Sequence, residues 1–266
     1  MNKSPIVMLS DFGDSSPFVG ITKGVILKIN PEAIIIDLTH KIKPQDVWEG
    51  FFVIRISFSY FPKGSIFLAV VDPGVGKEDR KAILVETENF FFIGPDNGLL
   101  SGVLEKEKIK GIYNLNKEKY FHHPVSRTFH ARDIFAPVAG YLSKGISPIR
   151  LGEKINDMVR LKFPLIKKEE NGNIIGEVVY IDTFGNLITN ITEEIIKDRG
   201  ERFSLIIKER EINNFVPTYA LASKEDIVTL INSFGLLEIA QNCGLAQKSL
   251  EARVGDKVIL KERRRI

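Results

Sequence analysis

Apolar positions change their spacing part-way along the chain. In the first 160 residues, short continuous apolar runs alternate with segments of helical period. Residues 6–9 form one such run. Pro17 then suits a helix's first turn, and Phe18, Ile21, Val25, Ile26 and Ile29 recur at helical spacing. Residues 33–36 are continuous and β-branched, which predicts a strand buried on both faces. Asp46 is placed to cap a second helix carrying Val47, Phe51, Ile54 and Phe58. Residues 66–71 predict another buried strand, and 82–85 with 90–93 a hairpin. Residues 131–142 read as helix, with Pro137 marking either a kink or a first turn. The pattern is βαβ-like and predicts an α/β fold, a mostly parallel sheet flanked by helices, over residues 1–160.

Beyond a polar, turn-rich stretch the texture becomes that of short strands, at 174–181, 187–191, 203–207, 227–231 and 254–260. Gly and Asn punctuate them, which predicts a smaller β-rich, barrel-like domain over 170–266, with 161–169 as linker. No internal repeat stands out.

Composition narrows the partners rather than the fold. With 37 basic against 34 acidic residues, the net charge of +3 gives no reason to expect nucleic acid. The basic end, Lys261, Arg263, Arg264 and Arg265, reads as a solvated terminus. One cysteine, Cys243, excludes an internal disulfide and favours a reducing compartment. The apolar run near the N-terminus is too short for a signal peptide, and nothing approaches the ~20 residues of a membrane helix. A cytoplasmic protein without membrane contact is expected.

Polar residues gather where the strands of the first domain end, as Ser10-Asp11-Phe12-Gly13, Asp37-Leu38-Thr39-His40 and Asp72-Pro73-Gly74. Ligand sites of open α/β sheets lie beyond the carboxyl ends of strands. One acid there is an ordinary cap; three form either a shared polar rim or a set of caps and turns. Asp72-Pro73-Gly74-Val75 also matches a type II turn. Neither Asp11-Phe12-Gly13 nor Gly74-Val75-Gly76 has the context of a kinase or dinucleotide motif. His122 and His123 read as solvated loop residues. His130 sits at a helix start, where the positive end of the dipole favours neutral imidazole, so it is either a base or a cap. In the second domain, Asp182-Thr183-Phe184-Gly185-Asn186 and Asn232-Ser233-Phe234-Gly235 each join a polar group to Phe-Gly. They suit stacking on a flat base with Asn reading its edge, or two plain strand-ending turns.

Eight segments in order, "SDFG", "PFVGITKGVI", "DLTH", "VDPGVG", "GPDNGLLS", "TFHARDIFAPVA", "IDTFGNLITNI" and "NSFGLLEIA", give the chain a specific resemblance. It resembles the adenosine-forming S-adenosylmethionine hydrolases, or hydroxide adenosyltransferases, relatives of fluorinase and chlorinase. The resemblance implies a homotrimer, with the α/β domain of one subunit facing the β-rich domain of the next across the ligand. It implies attack of water on ribose C5′, releasing adenosine and methionine without metal or cofactor. The family's Asp–Arg–His triad falls on Asp72, Arg80 and His130, and its ribose-diol carboxylate on Asp11. Asp182, Phe184, Asn186 and Ser233 fall in segments that contact the amino-acid part and the adenine, and Ala246 in one that adds a backbone contact. The chain departs from the family pattern twice. Asp79 holds the usual arginine position, with Arg80 one residue later, and Ser16 replaces an acid before Pro17, with Asp14 nearby.

Three other readings remain open on the sequence. One is a protein that binds adenosine or S-adenosylmethionine without turnover. Another is a metal-dependent hydrolase using Asp11, Asp37, His40, Asp72, His130 and Asp133, though no paired-histidine spacing supports it. The third is a halogenase, although the extra loop of the fluorinases is absent.

Overall fold

The computed structural model describes residues 4–199 and 203–262; Arg263, Arg264 and Arg265 of the basic end lie outside them. The chain divides into two compact units, Met1–Lys162 and Phe163–Ile266.

The first unit is built on seven strands: β1 Ile6–Ser10, β2 Ile35–Thr39, β3 Ile66–Val70, β4 Ala82–Thr87, β5 Phe91–Pro95, β6 Ile109–Asn114 and β7 Glu153–Ile155. Their order is β2-β1-β3-β5-β4-β6-β7. The first four in that order are mutually parallel, and β4 and β7 run against their neighbours, so the sheet is mixed and mostly parallel. The expected hairpin is β4–β5.

Both faces of the sheet are covered, and alternation along each strand sorts the core. Ile6, Met8, Ile66, Leu68 and Leu84 join one apolar cluster with Ile26 of α1 (Phe18–Ile29) and Val138 of α3 (Ala136–Ser143). Val7, Leu9, Phe67, Ala69 and Ile83 join the other, with Ile54 of α2 (Val47–Ser57). This is the period of two expected of a strand, and burial of both faces explains the continuous apolar runs. A short helix, α4 (Pro148–Leu151), precedes β7.

Two local features differ from the pattern expected of the sequence. The run 33–36 does not lie in a strand buried on both faces. β2 is the edge strand, paired only with β1, and Ile34 and Ile36 are 48% and 38% exposed. Residues 131–142 form two elements, a π turn (Ala131–Phe135) followed by α3. Pro137 accounts for the break. Its ring cannot lie over the carbonyl four residues earlier and it has no N–H to offer that carbonyl. The carbonyl is that of Asp133, and it accepts the His122 N–H at 2.8 Å instead.

The second unit is an antiparallel sheet of eight strands: β8 Lys167–Lys168, β9 Ile174–Ile181, β10 Leu187–Thr192, β11 Phe203–Ile207, β12 Arg210–Ile212, β13 Ile227–Ile231, β14 Leu236–Gln241 and β15 Lys257–Glu262. β8 falls within the expected linker. The order is β12-β11-β15-β9-β10-β14-β13, with β8 on β9. The chain just beyond β12 bridges back to β13 through Phe215 and Thr229, so the sheet nearly closes into a barrel. Its interior holds Val178, Leu187, Leu205, Ile239 and Leu260. Two helices, α5 (Glu193–Arg199) and α6 (Ala246–Ser249), complete it.

Asp46 caps α2 as expected, its Oδ1 accepting the Glu49 N–H at 2.9 Å. Asp46→Ala should lower stability by about 1 kcal/mol, the usual worth of such a cap. Calorimetry should show the transition containing the first unit falling by roughly 2–4 °C.

Candidate active site

An open cleft lies beyond the carboxyl ends of β1 and β3. Asp11, Phe12, Asp72, Val75, Phe129 and His130 line it.

Asp72 follows the apolar run of the interior strand β3, and its side chain is only 4% exposed. One oxygen is well held: Oδ1 accepts the Gly74 N–H at 3.1 Å and Arg80 Nη1 at 3.3 Å. The other, Oδ2, is buried without a hydrogen-bond partner. Burial pushes the Asp72 carboxyl above the usual aspartate range, and Arg80, the Gly74 N–H and His130 pull against that push. Nearby Asp11 adds to it. The loop from Lys77 to Arg80 brings its guanidinium back to Asp72.

The turn after Asp72 is not type II. That type needs positive φ at its third residue, but only Gly76 in this loop has it, at +81°. Successive bonds from Val75 N to Asp72 O and from Lys77 N to Gly74 O fold the loop into two turns. Gly74 has another role, since a Cβ there would stand 2.7 Å from Arg80 Nη2. At Gly76 a Cβ would stand 2.1 Å from the Arg127 carbonyl oxygen. One glycine admits the guanidinium and the other admits the neighbouring backbone.

His130 precedes the π turn and faces the same cleft. Beside it, Asp133 is fully buried and accepts Arg132 Nε at 2.6 Å, Arg132 Nη2 at 2.9 Å and the Ser126 N–H at 2.8 Å. Asp133 thus ties the 126–133 loop together. Arg132 also lies over Phe129, 5.2 Å from the ring centre, and Phe12, Phe18 and Phe129 pack edge to face.

Asp11 reaches the cleft with Oδ2 accepting the Gln45 N–H at 2.8 Å. Asp37 is not among the residues lining the cleft. It pairs with Lys23 at 2.5 Å and with His40 Nε2 at 3.0 Å. The rim of three acids is therefore a rim of two. His122 donates its backbone N–H to the Asp133 carbonyl, and exposed His123 bonds the Glu118 carbonyl through Nε2 at 2.8 Å. Ser16 donates to the Phe12 carbonyl at 2.7 Å, and Asp14 pairs with Lys41. No group of three or more His, Cys, Asp or Glu among the described residues is placed to hold a metal ion.

In the second unit the two Phe-Gly segments are the same turn built twice. Asp182 Oδ1 accepts the N–H groups of Phe184 and Asn186, both at 2.9 Å. Asn232 Oδ1 accepts those of Phe234 and Leu236 at 3.0 and 3.1 Å. Gly185 and Gly235 have φ of +74° and +73° and donate to the Asp182 and Asn232 carbonyls. Each is a tight hairpin loop ending in a left-handed glycine. Asn186 Nδ2 returns to Asp182 Oδ2 at 3.0 Å. Phe184 projects at 73% exposure and Phe234 at 42%. Ser233 lies in the second turn, and buried Ala246 opens α6, whose Gln247 N–H donates to the Gly185 carbonyl at 2.9 Å.

Sequence reasoning missed Glu238, buried in β14 and accepting Tyr219 Oη at 2.6 Å. Burial raises its carboxyl above the usual range. An acid inside the apolar run Leu237-Glu238-Ile239-Ala240 was the available signal. It also missed Gln45, whose φ of +67° aims its N–H at Asp11; nothing in its residue type announces that.

Fold and cleft define an α/β protein with an acid-lined cleft at strand ends. The chain belongs to the SAM hydroxide adenosyltransferase family, whose N-terminal and C-terminal domain models match residues 6–152 and 176–259. It is 37% identical over 268 residues to a Methanocaldococcus jannaschii protein named (R)-S-adenosyl-L-methionine hydrolase, covering 95% of this chain and 94% of that one. A protein of an Actinoplanes species named fluorinase is 28% identical, covering 91% and 92%. A crystal structure described as an uncharacterized conserved protein from Thermotoga maritima matches with a TM-score of 0.90 at 34% identity, covering 97% of this chain and 100% of that chain.

The two loop glycines should behave differently on substitution. Gly76→Ala, strained in φ and against backbone, should cost about 1–3 kcal/mol in denaturant unfolding. Gly74→Ala displaces only the end of a flexible side chain and should cost less. It should instead move the Asp72 titration, followed by carboxyl NMR, further upward as Arg80 withdraws.

Proposed function

We propose that the protein hydrolyses S-adenosyl-L-methionine to adenosine and L-methionine by attack of water on the ribose C5′. Asp72 Oδ2 carries this assignment: a buried carboxylate oxygen without a partner, on a cleft shared with Asp11 and His130. Such an oxygen is a ready acceptor for one hydrogen of a bound water. The family membership and the hydrolase name of the 37% identical relative support the substrate.

Elementary chemistry fits these groups. A sulfonium is an activated leaving group, so no electrophile is needed to polarise the bond that breaks. Hydroxide and a sulfonium cation become neutral products, and a site poor in water favours a transition state in which charge disperses. In our reading, Asp72 fixes the water, Arg80 keeps that carboxylate ionised, and His130 takes the proton. Alignment of the attacking oxygen with the C5′–S bond can contribute several kcal/mol, and a placed base a further ~10²–10⁴ in rate. Asp11 holds the ribose diol. In the second unit, exposed Phe184 stacks on the adenine and Asn186 reads its edge. The Asp182 and Ser233 turns meet the amino-acid end, and the Ala246 backbone adds a contact.

We further propose a homotrimer in which the second unit of one subunit completes the cleft of the next. Exposed Ile34 and Ile36, just before and within edge strand β2, with Ile21 and Leu27 of α1 also exposed, supply surface for such contacts. A lone exposed cysteine suits a reducing, cytoplasmic setting.

Chromatography of adenosine and methionine after incubation with S-adenosyl-L-methionine tests the activity. Turnover should survive a chelator and be indifferent to chloride and fluoride. Asp72→Ala and His130→Ala should each lose at least about a hundredfold; parental rates in both would remove the proposed site. The pH profile carries a sign. The active form needs ionised Asp72, so activity is present above its raised pKa and lost as pH falls through it. Arg80→Ala removes an influence that lowers this pKa, so the acid limb of its residual activity should move to higher pH. A limb that stays in place assigns it to another group. Light scattering should give three times the chain mass, with Ile34→Glu shifting it toward the monomer.

A further inference from the structure

The "DLTH" segment supplies no residue to the cleft, yet it is built against the loop that does. Buried His40 bonds Ser10 Oγ through Nδ1 at 2.7 Å and Asp37 Oδ1 through Nε2 at 3.0 Å. Ser10 Oγ also accepts the Phe12 N–H at 3.3 Å. Asp11 stands between these two residues. Ionised Asp37 only accepts, so Nε2 carries hydrogen; in the neutral ring Nδ1 then accepts from the Ser10 hydroxyl, whose lone pairs are left for Phe12. Burial alone would raise the Asp37 carboxyl, but hydrogen bonds from Lys23 and His40 hold it below its ordinary value, which keeps it an acceptor.

The backbone delivers His40 to this position. Met8 pairs with Asp37 but Leu9 with Thr39, so one extra residue bulges out of β2 at Leu38. Bulges re-aim the residues that follow them. His40 and the chain following it grip the Asp11 loop twice more, through Gly13 N to His40 O at 2.8 Å and Gln45 N to Asp11 Oδ2 at 2.8 Å.

We propose that Ser10, His40 and Asp37 are positioning residues that set the Asp11 carboxylate for the two hydroxyls of the substrate's ribose. Ser10 is buried and directed inward, so the triad-like order of these residues is not that of a nucleophile and base. The inference rests on the reading of Asp11 as the diol carboxylate. It makes the relay specific to one part of the ligand.

Calorimetric binding of adenosine and of 2′,3′-dideoxyadenosine to the full chain tests it without requiring turnover. His40→Ala should weaken adenosine by about tenfold, the scale of one charge-assisted hydrogen bond, and leave the dideoxy compound bound as by the parent. His40→Asn, which keeps an acceptor near Nδ1, should recover most of the loss. With S-adenosyl-L-methionine the defect should fall on KM rather than kcat. Equal weakening of both nucleosides, or of neither, overturns the proposal. Should His40→Ala not fold, Ser10→Ala takes its place: selective loss of adenosine supports the relay, and equal or no weakening overturns it. A parent protein that binds adenosine but leaves S-adenosyl-L-methionine intact would remove the hydrolase reading while the nucleoside comparison still decides this one.

Discussion

A carboxylate taken out of water with one oxygen paired and the other bare is the constraint around which the first unit is arranged. Desolvation makes Asp72 unfavourable as an anion, and only Arg80, His130 and one backbone N–H oppose it. Each support makes a demand elsewhere. The guanidinium comes close only because Gly74 has no Cβ. The loop carrying Arg80 turns back only because Gly76 takes a left-handed conformation against the Arg127 carbonyl. The ionised carboxylate also weakens the fold at neutral pH. A raised native pKa is a contribution to stability that is present in acid and lost as pH rises through that pKa. Strain of this kind persists where surrounding structure over-determines it, and a strand whose every residue is buried supplies that rigidity.

Acids elsewhere in the unit show what full pairing does. Asp133 lies deeper than Asp72, yet two guanidinium nitrogens and a backbone N–H occupy its carboxylate, leaving it to hold a loop. Asp37 has Lys23 and His40. All three acids belong to polar segments that looked alike in the sequence. What separates them is the number of donors that folding brings to each. That number depends on a bulge at Leu38, a π turn over Ala131–Phe135 and a loop from Lys77 to Arg80, all tertiary features.

This sets how much was legible in advance. Strand runs such as 66–71 and the Asp46 cap could be read because they depend on local period and one hydrogen bond. The hairpin β4–β5 could be read from its turn. The exposure of Ile34 and Ile36 could not, because a β-branched run looks the same in a central strand and at an edge; only strand order distinguishes them. At the site, residue types pointed to Asp11, Asp72 and His130. The reason for Gly74 did not show, since a glycine that admits a side chain from six residues away resembles a glycine that makes a turn. Ordered motifs located Arg80 by resemblance, and geometry shows how a displaced arginine still reaches its partner.

The twin turns of the second unit have a consequence for how such a protein can change. Asp182 and Asn232 fix their hairpins through side-chain oxygens, and Gly185 and Gly235 through their left-handed backbone. The phenylalanine between contributes only an N–H to the turn, and its ring is left outside. Residue identity at positions 184 and 234 is thereby uncoupled from the folding of the loop that displays it. A new ring, or none, can be presented on the same frame. The surface chemistry of the barrel's rims can be changed without refolding the barrel itself.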